Sequence, residues 1–134
     1  MDVKTIKEIQ AELLNIQKYF IKIFDKNVFV IWTSPIASSK YRLFSEAMNR
    51  MISILSFENE MTEDGFIKTF QANSGDLNII CKAVFDLDIS GYDYAHQIFE
   101  DSFLSEARVE AINSACKIAD TIGLAEEEMV NGLD

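Results

Sequence analysis

The sequence predicts an all-α protein, a single compact bundle of six or seven short helices over residues 1–134, on three observations. Apolar residues recur at helical spacing in three separate segments, connections between them are short, and only one five-residue run has the composition of a strand. A chain of 134 residues buries roughly two-thirds of its unfolded surface without needing disulfides or a structural metal. With 49% hydrophobic residues, ten of all residues being Phe, it has the material for one core.

Ile6, Ile9, Leu13, Ile16, Phe20 and Ile23 alternate at three and four, which puts them on one face of a first helix. Thr5 and Glu8 form a capping-box pattern at its start. A homodimer seam would use such a stripe, but Leu14, Tyr19, Ile21 and Phe24 widen it toward packing inside a bundle. Val28 to Trp32 reads as a buried connector, with a short strand as the alternative, and Trp32 as a core anchor. Pro35 ends that run before a second helix capped near Ser38 or Ser39, which carries Phe44, Met48, Met51 and Leu55 to about Phe57.

Glu58 to Gly65 reads as an acidic turn, after which Thr62 caps a short third helix carrying Phe66 and Phe70. Asn73 to Asp76 breaks it and caps a fourth, whose face is Leu77, Ile80, Cys81 and Val84. A fifth follows the Asp86 to Asp93 loop with Tyr94, Ile98 and Phe103. A sixth begins at Ser105, repeats Val109, Ile112, Cys116 and Ala119, and ends at Gly123. Glu126, Glu127 and Glu128 suit the first turn of a last short helix, where negative charge meets the positive end of the dipole.

Twenty-two acidic against twelve basic residues give a net charge of −10. That balance disfavours nucleic acid, whose phosphates need clustered Lys and Arg, and anionic membrane surfaces. It favours cations or a protein partner with a basic or apolar surface. With no signal-peptide pattern and no apolar run of spanning length, the chain reads as cytoplasmic. Cys81 and Cys116 lack the spacing of a zinc site and read as reduced core residues. His96 is the only histidine, and no Ser, Cys or acidic residue stands at a spacing that defines a triad, so no catalytic residue is assigned. Met48 and Met51 read as core filler rather than as a binding groove.

Two motifs bear on function. Asp86, Asp88 and Ser90 occupy alternate positions before Gly91, as ligands 1, 3 and 5 precede the turning glycine of an EF-hand loop, with the Tyr92 carbonyl at position 7. Asp93 replaces the aliphatic residue at position 8 and serves as a substitute ligand. Gln97 replaces the bidentate glutamate at 12, so calcium is expected to bind at about 10⁻⁴ M or more weakly. Glu60 to Ile67 is a poorer half-loop that again ends in a glutamine, Gln71, and its glycine lies too close to Gly91 for the usual pairing of two such loops.

The second motif lies in the last third. Ala95-His96-Gln97-Ile98-Phe99-Glu100-Asp101-Ser102-Phe103-Leu104-Ser105 followed by Ala119-Asp120-Thr121-Ile122-Gly123-Leu124-Ala125-Glu126-Glu127-Glu128-Met129 resembles the TerB family of tellurite-resistance-associated proteins. Ser102 stands where that family's turn has glycine, and Arg108 where it has glutamate. Asp86 to Asp93 also fits the turn, with Leu87 for glycine and Asp93 for glutamate. The resemblance implies an all-α, stress-associated domain whose acidic turns are associated with divalent cations. The expected function is a non-catalytic, acidic protein-interaction module without a cofactor; the alternative is a weak calcium-binding protein using Asp86, Asp88, Ser90, Tyr92 and Asp93.

Overall fold

The structure, a computed structural model, describes residues 1–33, 35–89 and 102–131, with side-chain surroundings for 1–21, 39–85, 106–129 and 131. Among these residues it is all-α, with six α-helices, one 3₁₀ turn and no strand: α1 (Val3–Thr33), α2 (Pro35–Ser56), the 3₁₀ turn (Glu58–Glu60), α3 (Glu63–Ala72), α4 (Gly75–Ile89), α5 (Ser102–Ile122) and α6 (Glu126–Val130).

α1 opens three residues earlier than the capping-box pattern indicated. Asp2 is the cap: its carboxylate accepts the Thr5 N–H at 2.8 Å and its carbonyl accepts the Ile6 N–H at 3.1 Å. The hydrogen bond from the Thr5 backbone holds the Asp2 carboxyl below its ordinary value. Ile6, Ile9, Leu13, Ile16 and Phe20 are buried as the spacing requires, and Tyr19 joins them, whereas Leu14 and Ile21 face solvent. The side chains of Ile23, Phe24 and Trp32 lie outside the described residues.

Val28 to Trp32 is neither connector nor strand; α1 continues through it to Thr33. β-Branched and aromatic residues disfavour a helix by only tenths of a kcal/mol each. Extending an established helix adds a hydrogen bond per residue, whereas an isolated strand has no partner for its backbone groups. Pro35 is the first residue of α2, where its fixed φ and missing N–H are harmless, so α2 opens before Ser38.

α2 lays Phe44, Ala47, Met48, Met51 and Leu55 into the core, and the Phe44 ring stacks on Phe20 of α1 at 3.9 Å between centroids. Arg50 grips Asp76 with two hydrogen bonds of 2.9 and 2.8 Å, tying α2 to the first turn of α4.

The acidic turn is shorter than expected, because Glu63 to Gly65 already form the first turn of α3. Thr62 Oγ1 accepts the Gly65 N–H at 3.1 Å, and a Cβ at position 65 would stand 2.9 Å from that oxygen. Gly65 therefore gives clearance for a helix cap and does not turn a cation loop, which removes the Glu60 to Ile67 half-loop. Thr62→Ala should lower stability by about 1 kcal/mol. In the Thr62→Ala background Gly65→Ala should recover most of that loss, since the clash is gone and alanine is the better helix former by about 1 kcal/mol; urea unfolding of the two variants checks both signs.

Phe66 and Phe70 of α3 and Leu77, Ile80, Cys81, Ala83 and Val84 of α4 continue the same core cluster. α5 starts at Ser102, three residues before the expected Ser105, and takes in Phe103, which the sequence placed in a fifth helix. The other residues of that helix, Tyr94 and Ile98, lie outside the described residues. Gly123, at φ 76°, is the left-handed residue that ends α5, and the Leu124 N–H bonds back to the Ala119 carbonyl at 2.9 Å. Met129 of α6 then closes onto the core.

The face that α5 buries differs from the one its larger apolar residues mark. Ala107, Ala111, Ala115, Ser114, Ile118 and Ala119 are buried, while Val109 is 52% exposed and Ile112 and Cys116 are half-buried. The buried set is rich in small residues at intervals of four, which lets neighbouring helices approach α5 closely, and among the described elements α5 packs most extensively on α1. The dispersion gained along such a seam exceeds what burying Val109 on a more distant face would return.

Candidate functional site

The predicted cation residues are only partly within view. Asp86 and Asp88 stand on helical backbone in α4, which runs to Ile89. Their side chains, and Ser90, Tyr92 and Asp93 entirely, lie outside the described residues, as does His96. Among the described residues no group of three or more His, Cys, Asp or Glu could hold a metal ion, and no helix is long and apolar enough to cross a membrane.

The described surface carries a different feature, built by the close seam of α1 and α5. The two helices run antiparallel, since Asn15 Nδ2 donates to Ser114 Oγ at 3.2 Å and Glu12 pairs with Lys117 at 3.7 Å. Where the seam reaches the end of α5, a groove of about 350 Å³ opens, lined by Glu8, Ile9 and Glu12 from α1 and by Lys117, Ile118, Asp120 and Thr121 from α5. Ile9 and Ile118 are buried and form its floor. Three carboxylates outweigh one ammonium along its walls. A second groove of about 340 Å³, lined by Met1, Thr5, Gln71, Ser74 and Ile122, shares the Thr121 wall.

Beyond the Glu12–Lys117 pair, two local choices leave this groove with an excess of negative charge. Glu8 and Glu12 are like charges one turn apart on the same helix face, a spacing that is mildly repulsive. Asp120 lies near the C-terminus of α5, whose last turn has no basic residue, so the carboxylate adds to the negative end of the helix dipole. Neither arrangement helps the fold locally, and together they leave a negative field over an apolar floor. Outside the groove, Glu58 pairs with Lys7 at 3.3 Å and Asp64 with Lys68 at 3.0 Å.

In the sequence Glu8 stands out only in a capping box and Asp120 only in a helix end, and neither is brought together with Glu12, because residues on α1 and α5 that touch, such as Asn15 and Ser114, are 99 positions apart. The available signal was the pair of locally unfavourable charges, since departures from local consistency concentrate where function requires them.

Both thiols are held above the ordinary cysteine value. Cys81 is fully buried, its Sγ donating to the Ala115 carbonyl at 3.5 Å, and burial pushes it up to about 12. Burial, followed by the charges of Asp120 and Glu126, also raises Cys116. Met48 and Met51 are buried in the core cluster. No family model, curated protein or solved structure matches the chain.

Proposed function

We propose that this protein is a non-catalytic interaction module, TerB-like in kind, that docks a basic segment of another protein in the α1–α5 groove. The observation that carries this reading is the excess of carboxylate over ammonium on the groove walls above an apolar floor. Such a groove takes the aliphatic stem of a Lys or Arg against Ile9 and Ile118 while its head meets Glu8, Glu12 or Asp120. The net charge of −10 steers a basic partner toward the molecule from a distance.

Recovery of partners from cell extract at low and at moderate salt, with the wild type beside Glu8→Lys/Asp120→Lys, tests this. The double variant leaves the Glu12–Lys117 pair in place and reverses the sign of the groove. The wild type should retain a basic protein at low salt, less of it at moderate salt, and the variant should bind it at least about tenfold more weakly. Equal recovery by both chains would remove the groove from the function; recovery of nothing at either salt would remove the interaction reading itself.

A further inference from the structure

Cys81 and Cys116 play no part in the proposed docking, yet they meet at the α4–α5 seam. Cys81 Sγ lies 3.5 Å from the carbonyl oxygen of Ala115, the residue before Cys116. Across a trans peptide that oxygen is about 2.8 Å from the next Cα, which puts Cys81 Sγ no more than about 6.3 Å from the Cα of Cys116. Adding the about 2.8 Å from Cys81 Sγ to its own Cα puts the two Cα atoms at most about 9 Å apart; disulfides join Cα atoms about 4.4–6.8 Å apart, so side-chain rotation with a slide of one helix by at most about 2–3 Å brings the sulfurs together. Both thiols are free, and Cys116 is only partly buried, so small reagents reach it.

We propose that Cys81 and Cys116 form a reversible disulfide that clamps α4 to α5 when the protein meets an oxidant of the peroxide class. The Cys116 thiol gives its proton to solvent and its sulfur attacks one peroxide oxygen. The O–O bond breaks, and the departing hydroxide takes up a proton as water, leaving a sulfenic acid. Cys81 then loses its proton and its sulfur attacks that of Cys116; the S–S bond forms, the S–O bond breaks, and a second water leaves. Two thiols lose two electrons and the peroxide gains them. The order follows from the setting, because Cys81 is buried and raised to about 12, which leaves Cys116 as the sulfur that reacts first. The closed bond encloses residues 82–115 and constrains the unfolded chain by a loop of that length.

Hydrogen peroxide treatment of the reduced full chain, with N-ethylmaleimide blocking under denaturing conditions and intact mass measurement, tests the cross-link. The expected product is a monomer about 2 Da lighter that takes up no maleimide and yields one peptide pair joining Cys81 to Cys116. Its melting temperature should rise by about 10 °C and return on adding dithiothreitol. Uptake of two maleimides after peroxide, a Cys116 sulfinic acid with Cys81 still alkylated, or a dimer joined through Cys116 would each overturn the proposal.

Discussion

Phe20→Ala should destabilise the protein by about 3–5 kcal/mol, whereas Ile21→Ala beside it should change stability by less than about 0.5 kcal/mol. The two side chains are adjacent in sequence and of similar character, but α1 turns Phe20 into the core at 1% exposure and Ile21 out at 52%. Phe20 stacks on Phe44 and meets the edge of Tyr19 at 5.5 Å, so its removal strips contacts from α1 and α2 together. Domains of this size are stable by only about 5–15 kcal/mol, so the loss is a large share of the total. Urea unfolding reads it as a shifted midpoint at unchanged slope. Equal midpoints for the two variants would contradict the register of α1.

The second large effect lies on α5. Ala111→Leu should cost about 1–3 kcal/mol or more by overpacking the core, since Ala111 is fully buried on the inward face of α5. Val109→Ala, at a position half-exposed, should be nearly neutral, and the better helix propensity of alanine favours the variant slightly. Hydrophobicity alone ranks these two substitutions the other way, because it makes Val109 the core residue. Thermal unfolding of both separates the alternatives, and a tolerated Ala111→Leu with a damaging Val109→Ala would show that the larger apolar face is the buried one.

That reversal shows what was legible and what was not. On α1, α2, α3 and α4 the buried stripe coincided with the stripe of large apolar residues, so periodicity located Ile6 to Phe20, Phe44 to Leu55, Phe66 with Phe70, and Leu77 to Val84. On α5 two periodic sets share the helix, and which one faces inward is decided by how closely a neighbour distant in sequence can approach. The end of α5 was readable because Gly123 meets a local steric need, a positive φ that side chains disfavour. The start of α1 was misread by one turn because Asp2 caps as well as Thr5 and periodicity does not distinguish them. Val28 to Trp32 was misread because composition was weighed without the helix already running into it. The groove could not be assembled from the sequence, as its walls come from helices at opposite ends of the chain.

The most direct test of the docking reading is a ¹H–¹⁵N NMR titration of the reduced protein with a lysine- and arginine-rich peptide at low salt. Shift changes should concentrate at the backbone amides of Glu8, Ile9, Glu12, Lys117, Asp120 and Thr121 and weaken as salt is added. Changes centred instead on Glu58 to Asp64, or spread evenly over the acidic surface, would contradict the account.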